Sequence, residues 1–334
     1  MSVDNRPLQR PPLGPPPPFD REVLPALDGL PQIQGWLSEL NLDTIPAMRE
    51  GTRAAMPAPT DEELSLGGAY TVEERTVPGP DITLIICRPR ASAQPAPVLY
   101  WIHGGGMIMG SARDNLTDIV TIAQQVGAAV VAVEYRLAPE TPHPGPVEDC
   151  YAGLTWTAQH ADDLGLDADR IMVFGQSAGG GLAAAVTLLA RDRGGPALAG
   201  QLLLCPMLDD RDATPSTHQL ADAPLWNRTL NNLGWRALLG ENYGRPDVSP
   251  YAAPARAHDL SGLPPTFIDV GSADLFRDED VDYANRIWQA GGDAELHVWA
   301  GAFHGSDGLA PHAAISRSAA TERLNWLHRQ LDRP

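Results

Sequence analysis

The chain has 334 residues, of which 43% are hydrophobic and 20% are charged, so it can bury a full hydrophobic core. Its 42 acidic residues outnumber its 24 basic residues and give a formal charge of −18. This balance argues against nucleic acid, an anionic membrane surface or a polyanion as the partner, and it favours a small neutral or cationic molecule.

The sequence also bears on the compartment. Cys87, Cys150 and Cys205 stand in apolar settings without CxxC spacing, which predicts buried free thiols. The N-terminal segment has no apolar run behind its basic residues, and no later run reaches the length of a membrane span. We therefore expect neither a secretory signal nor integral membrane insertion, and a cytoplasmic location is the default.

The first 95 residues predict cover elements and a hairpin. Residues 7–18 are too rich in proline for a helix or an interior strand, which indicates an extended arm, with a docking PxxP segment as the alternative. A helix is predicted within residues 31–50 from apolar residues at helical spacing, namely Ile33, Trp36, Leu37 and Leu40. A second short helix is expected after residue 43, and residues 70–89 alternate as in a hairpin that turns at 78–80.

Beyond residue 95, strand-like runs alternate with helical segments. The strand-like runs are PVLYWIH, AAVVAVEY, RIMVFGQ, GQLLLCP, PTFIDVG and ELHVWA. Helices are expected near 114–126, 146–161, 178–193, 279–291 and 313–331. This alternation predicts an α/β fold with a mostly parallel central sheet flanked by helices on both faces.

One region interrupts the alternation. Residues 209–260 contain a helical segment and a proline-rich tail, which predicts an insertion that forms a cap together with the N-terminal helices. The predicted organisation is therefore an N-terminal arm with cap helices over residues 1–80, and a catalytic domain over 81–334 that carries the cap insertion at about 209–260.

A serine stands at one junction between a strand and a helix. Gly175 to Gly179 read G-x-S-x-G, between the strand-like RIMVF and the helical AAAVTLLA. In such a turn the small flanking residues allow a tight bend, which exposes the serine hydroxyl at the carboxyl edge of the sheet. This context predicts that Ser177 is a nucleophile; the alternative is an ordinary glycine-rich turn.

A serine nucleophile requires a base and an acid that orients the base. His304 follows the last predicted strand in a glycine-rich loop, and His312 is the second candidate for the base. Asp274 directly follows the strand-like PTFIDVG and is the favoured acid. Asp269 lies within that strand, and Asp278 is expected to cap the next helix.

Acyl transfer also requires donors for a tetrahedral oxyanion. The run HGGG at 103–106 follows a predicted strand, and its three glycines let the backbone turn N–H groups toward the site. Ala178, at a predicted helix N-terminus directly after Ser177, adds another N–H. His103 is expected to be a structural hydrogen-bonding residue.

These motifs together resemble the hormone-sensitive-lipase family of α/β-hydrolase esterases, from about residue 82 onward. HGGG matches the family motif, VEYRLAPE is similar to D-Y-R-L-A-P-E, GQSAGGGLA to G-D-S-A-G-G-N-L-A, DLFRDE to D-P-L-R-D-E, and FHG to H-G-F. The resemblance implies a Ser177/Asp274/His304 triad and oxyanion donors from Gly105, Gly106 and Ala178. It further implies a helical cap, no cofactor or metal, cleavage of short- or medium-chain acyl esters, and a homodimer.

The chain differs from the family pattern at several places. Gln176 stands where Asp or Thr is usual, Gly181 replaces Asn, Glu134 replaces Asp, and no aromatic residue follows the glycine after His304. None of these changes removes a predicted triad member. They leave the acyl preference and the shape of the pocket open.

The leading hypothesis is a serine carboxylesterase that acts through an acyl-enzyme on a small neutral ester. The same triad could act on amides, lactones or carbamates, or transfer the acyl group to an acceptor other than water. A ligand-binding protein without catalysis is the less favoured alternative. Candidates for the pocket lining, each of which could instead belong to the core, are Trp36, Met107, Met109, Trp226, Trp235 and Phe303.

Overall fold

The computed structural model describes residues 13–29, 35, 39–55, 57–91 and 94–332. Most of the helix predicted within 31–50 lies outside these residues, including Trp36, as does the first half of the proline-rich arm. The short helix predicted after residue 43 is confirmed, since residues Ile45–Ala55 are helical.

The described residues form a central sheet and helices that surround it. The strands are β1 (Tyr70–Val77), β2 (Ile82–Pro89), β3 (Ala96–Ile102), β4 (Ala129–Glu134), β5 (Leu166–Gln176), β6 (Gly200–Leu204), β7 (Thr266–Gly271) and β8 (Ala294–Trp299). The first α-helices are α1 (Ile45–Ala55), α2 (Asp61–Leu64), α3 (Leu116–Gln125), α4 (Gly145–Gln159), α5 (Ala161–Leu164) and α6 (Ala178–Arg193). The remaining α-helices are α7 (Pro215–Gln219), α8 (Arg228–Leu239), α9 (Arg277–Gln289), α10 (Ser306–Leu309) and α11 (Ala314–Leu331). Short 3-10 helices lie at Leu24–Gly29, Gly240–Asn242 and Pro254–Arg256.

The sheet is mostly parallel, as predicted. Its eight strands lie in the order β1-β2-β4-β3-β5-β6-β7-β8. β1 and β2 form the predicted antiparallel hairpin, β2 pairs antiparallel with β4, and all pairs from β4 to β8 are parallel. The carboxyl ends of the parallel strands therefore meet at one edge, where ligands of open α/β sheets bind.

Both faces of the sheet are buried, which explains the nearly continuous apolar strands. Along β3, Val98, Tyr100 and Ile102 belong to one hydrophobic cluster, whereas Leu99 and Trp101 belong to a second cluster. Because neighbouring side chains of a strand point to opposite faces, each cluster fills one side of the sheet. Within the described part of the chain, no helix has the length and apolar character needed to cross a membrane.

The segment predicted as a cap insertion follows β6 and contains α7 and α8. Thr214 and Asn227 begin these helices, and their side chains accept hydrogen bonds from Thr217 N–H and Leu230 N–H respectively. The N-terminal arm reaches the same side of the molecule, since the amide of Gln219 in α7 donates to the carbonyl of Pro15 at 2.8 Å.

Candidate active site

Ser177 lies at the turn between β5 and α6 at the carboxyl edge of the sheet. Its backbone has φ 57° and ψ −121°, a strained conformation for a residue with a side chain. The turn is held by three hydrogen bonds: Ser177 N–H donates to Leu204 O at 2.8 Å, and Ser177 O accepts from Met207 N at 2.9 Å and from Gly181 N at 3.0 Å. The strain is therefore maintained by the neighbouring strand and helix.

The small residues around Ser177 are required by close packing. A Cβ at Gly175 would lie 2.1 Å from Gly179 O, and a Cβ at Gly179 would lie 2.1 Å from Ile102 O. Any larger side chain would push α6 away from β3 and β5. At Gly181, where the resembled family has Asn, a Cβ would lie 2.1 Å from Met207 O, so this chain has no room for that side chain.

The three side chains predicted as a triad are connected in a line. His304 Nε2 lies 2.9 Å from Ser177 Oγ, and His304 Nδ1 lies 2.9 Å from Asp274 Oδ2. The second oxygen, Asp274 Oδ1, accepts the Phe276 N–H at 3.0 Å, which fixes the carboxylate. All three side chains are buried, with Ser177 7%, His304 8% and Asp274 1% exposed.

The surroundings of His304 favour its protonated form. Burial of the ring lowers the pKa of His304, but the charge of Asp274 and its hydrogen bond raise it, and the resulting pKa lies above the usual 6.5. An imidazole that gains a proton during a reaction is therefore stabilised by a fixed, buried carboxylate.

The other acid and base candidates lie elsewhere. Asp269 accepts a hydrogen bond from Arg323 at 2.7 Å, so its charge is compensated within an ion pair. Asp278 is not the helix cap that the sequence predicted: α9 begins one residue earlier, at Arg277. Asp278 lies in the first turn and accepts the Ser216 N–H at 2.7 Å, because the turn before α9 is already closed by Asp274. His312 is exposed, and its carbonyl accepts a hydrogen bond from Arg317.

The HGGG loop passes directly beside Ser177. A Cβ at Gly104 would lie 3.4 Å from the Ser177 Cβ. Gly105 and Gly106 have φ values of +108° and +63°, which favour glycine, and Gly105 O accepts from Met109 N at 2.9 Å. Ala178 is the first residue of α6, so its N–H has no acceptor within the helix. The predicted donor groups thus lie on the two backbone segments that flank the nucleophile.

His103 has the structural role that its position suggested. Its Nδ1–H donates to Gly104 O at 2.8 Å, and its ring stacks on Tyr135 with a centroid distance of 4.2 Å. The Tyr135 hydroxyl donates to His103 O at 2.9 Å. Burial lowers the pKa of His103 to about 4, so the ring is neutral at physiological pH and supports the loop.

A residue that the sequence did not single out connects α1 to this loop. Arg49 in α1 donates through Nε to Ile108 O at 2.6 Å, and its guanidinium also contacts Ala138 O and the carboxylate of Glu140. No sequence signal separates Arg49 from the other arginines of the arm, because its partners lie 59 to 91 residues away.

Two consecutive residues between α7 and α8 pack on the loops beside Ser177. A Cβ at Gly106 would lie 2.2 Å from Trp226 Cη2, so the indole packs on the HGGG loop. A Cβ at Gly305, next to His304, would lie 3.3 Å from Leu225 Cδ2. Leu225, which has φ +64°, and Trp226 therefore span the gap between the two loops on either side of the nucleophile.

The remaining pocket candidates differ in their surroundings. Trp235 is fully buried in the large cluster that also contains Met107, which is 1% exposed. Met109 is partly buried against the same cluster. Phe303 is 2% exposed and packs edge-on against Phe19 at 5.6 Å. The contacts of Trp235 and Phe303 thus indicate packing, whereas the side chain of Trp226 packs on Gly106 of the predicted donor loop.

Comparisons with known proteins identify the family of the chain. Residues 99–307 match a family model described as the alpha/beta hydrolase fold. The chain is similar to esterase LipI of Mycobacterium tuberculosis, with 35% identity over 92% of this chain and 93% of that protein. It is also similar to carboxylesterase NlhH of the same species, with 38% identity over 78% of this chain and 83% of that protein.

Among solved structures, one titled bacterial heroin esterase superposes with a TM-score of 0.85 and 42% identity, over 94% of this chain and 98% of that chain. The family model covers more than half of the chain, and the similar proteins are esterases on the same fold. The chain belongs to the hormone-sensitive-lipase-like esterases of the α/β-hydrolase superfamily and is a carboxylic ester hydrolase.

Proposed function

We propose that the chain hydrolyses short- to medium-chain acyl esters of small neutral molecules, with Ser177 as nucleophile, His304 as general base and Asp274 as the orienting acid. The observation that carries the proposal is the pair of 2.9 Å contacts that join Ser177 Oγ, His304 and Asp274 in a line. Nucleophile, base and acid arranged in this order are what acyl transfer by serine requires.

The geometry supports a role for each group. With Nδ1–H donated to Asp274, His304 Nε2 is the acceptor for the Ser177 hydroxyl proton. Ser177 Oγ attacks the ester carbonyl as His304 takes that proton, and the imidazolium then gives the proton to the departing alcohol. Water, activated by His304, attacks the acyl-enzyme in the second half of the reaction and releases the acid.

The developing oxyanion needs donors that are already in place. We propose the N–H groups of Gly105, Gly106 and Ala178 for this role. Each such donor contributes about 3 to 4 kcal/mol to transition-state stabilisation in enzymes of this type. The proposal is supported by the close approach of the HGGG loop to Ser177 and by the position of Ala178 at a helix N-terminus.

The test is turnover of p-nitrophenyl acetate and p-nitrophenyl butyrate near neutral pH. We expect hydrolysis by the wild-type chain and a loss of several orders of magnitude in Ser177→Ala. A folded wild-type chain that releases no p-nitrophenol would refute the proposal. Parallel assays with amides, lactones and alcohol acceptors separate ester hydrolysis from the other reactions of the same triad. A fluorophosphonate probe that fails to label Ser177 would instead support a ligand-binding role.

Three further features are proposed. We propose that α1, α7 and α8 act as the cap over a catalytic domain, since Arg49 of α1 donates to Ile108 O and Trp226, in the segment between α7 and α8, packs on Gly106. We propose a homodimer through β8. This strand lies at the edge of the sheet, where it can pair with another chain, and its Val298 is 42% exposed. Sedimentation equilibrium tests the proposal. A cytoplasmic location is supported by three unpaired cysteines and tested by cell fractionation.

A further inference from the structure

Cys205, the residue that follows β6, lies beside the acid and the base of the proposed triad. Its Sγ, a carboxylate oxygen of Asp274 and a ring nitrogen of His304 all lie within 4.8 Å of one another. Cys205 has φ +36°, and its N–H donates to Asp269 O at 2.7 Å, which holds it at the carboxyl edge of the sheet. The thiol takes no part in the proposed reaction.

The three side chains are suitable ligands for a divalent cation. Thiolate, imidazole and carboxylate are the groups that bind Zn²⁺ in proteins, at about 2.3, 2.0 and 2.1 Å respectively. In a tetrahedral site these bond lengths place the ligand atoms roughly 3.5 Å apart. The present separations are at most 4.8 Å, so metal binding requires the ligand atoms to approach one another by no more than about 1.3 Å.

The surroundings offer both room and charge. A cavity of about 30 Å³ lies against Cys205 and Asp274 and extends to Arg323. A water molecule requires about 10 to 15 Å³, so the cavity can hold the additional ligand of a three-residue site. Burial, and then the charge of Asp274, raise the pKa of the Cys205 thiol well above its usual value. The same negative charge that opposes a thiolate attracts a dication.

We propose that Cys205, Asp274 and His304 form an inhibitory site for Zn²⁺ and for other thiophilic cations such as Cd²⁺. The ion displaces the thiol proton to solvent and binds a carboxylate oxygen of Asp274 together with His304 Nδ1, whose proton moves to Nε2, so that Nε2 no longer accepts the Ser177 proton. Metal binding and catalysis therefore exclude each other. The inhibition part of this inference rests on the proposed function, whereas the metal site itself does not.

The test compares metal-free wild-type chain with Cys205→Ser and with the matched control Cys150→Ser, which alters another buried cysteine, on α4. Titration with Cd²⁺ is followed by the ultraviolet absorption of the cadmium–thiolate bond, and titration with Zn²⁺ by turnover of p-nitrophenyl butyrate. We expect wild-type and Cys150→Ser to show the absorption and the same inhibition. Cys205→Ser should lose the absorption. It should also require at least about tenfold more Zn²⁺ for half-maximal inhibition, because even indirect partners of metal ligands contribute about 10- to 100-fold to the affinity for the metal.

Equal inhibition of Cys205→Ser and wild-type by Zn²⁺ would overturn the inference. So would a cadmium–thiolate absorption that is absent in wild-type, or one that persists in Cys205→Ser. Cys205→Ala serves as the second variant if the serine variant does not fold. The absorption does not depend on turnover, so it is also measured in Ser177→Ala. An inactive wild-type chain that still shows the absorption would refute the proposed esterase activity and leave the metal site intact.

Discussion

Replacing Asp274 by Asn tests how much of the rate depends on the buried carboxylate. The substitution keeps the size of the side chain and its contact with Phe276 N–H, but it removes the charge 2.9 Å from His304 Nδ1. With an effective dielectric constant of about 20, two unit charges at this distance interact by about 6 kcal/mol. Each 1.36 kcal/mol changes a rate tenfold, so we expect kcat to fall by roughly 10³- to 10⁴-fold.

The assay is hydrolysis of p-nitrophenyl butyrate, with kcat and KM determined separately. KM should change little, because Asp274 is 1% exposed and acts on the imidazolium that forms during the reaction. The control is Asp278→Asn, which makes the same change four residues away in the first turn of α9 and should stay within a few-fold of wild-type. A kcat for Asp274→Asn within tenfold of wild-type would refute the role assigned to this carboxylate.

The pH dependence of kcat/KM is a second test of Asp274→Asn. In wild-type the pKa of His304 is raised above 6.5, and the base must be neutral to act, so the acid limb of kcat/KM should have its midpoint above that value. Without the charge of Asp274, burial of the ring lowers the pKa of His304 against only the smaller opposing effect of the Asp307 charge. The midpoint of the residual activity should therefore move to lower pH, and a midpoint that does not move would contradict this account of His304.

Three further predictions concern residues around the site. Gly106→Ala should reduce kcat by tenfold or more, because its Cβ would lie 2.2 Å from Trp226. The control is Gly127→Ala, at φ +66° with no atom within 4 Å of the added Cβ. It should keep kcat and lower the free energy of unfolding in urea by only about 1 to 2 kcal/mol. Asp280 is fully buried with neither carboxylate oxygen hydrogen-bonded, and burial raises its pKa well above 3.8. The folded protein therefore loses stability as the pH rises above the pKa of Asp280 in the unfolded chain. Asp280→Asn should raise the free energy of unfolding more at pH 8 than at pH 5. An equal effect at both pH values would refute this reasoning. Arg323→Met leaves two carboxylates without their shared partner and should cost about 3 to 5 kcal/mol in urea unfolding; a loss below about 1 kcal/mol would contradict the network.

The strands and the serine turn could be predicted because their signals are local. The continuous apolar run of β3 is buried along its whole length, and its side chains fill the two sides of the sheet in turn, as a sheet covered on both faces requires. The spacing of glycines around Ser177 follows from a turn in which added Cβ atoms would strike the backbone of α6 and β3. In each case a short stretch of sequence contains the whole physical requirement.

Other features could not be predicted, because they depend on partners far away in the chain. Arg49 supports the HGGG loop from a helix 59 residues upstream of its acceptor. Leu225 and Trp226 reach the site from the segment between α7 and α8, and Cys205 comes to lie beside Asp274 only when β6 and β7 pair. The helix cap predicted at Asp278 was wrong because Asp274 closes the preceding turn, and so α9 begins at Arg277.

The central claim is that Ser177 carries the acyl group during turnover. The most direct measurement mixes the chain with p-nitrophenyl acetate, quenches with acid within milliseconds, and locates the adduct by peptide mass spectrometry. We predict one acetyl group on Ser177 in wild-type, and none on this peptide in Ser177→Ala. Steady turnover with no acetyl group on Ser177, or undiminished turnover by Ser177→Ala, would contradict the account.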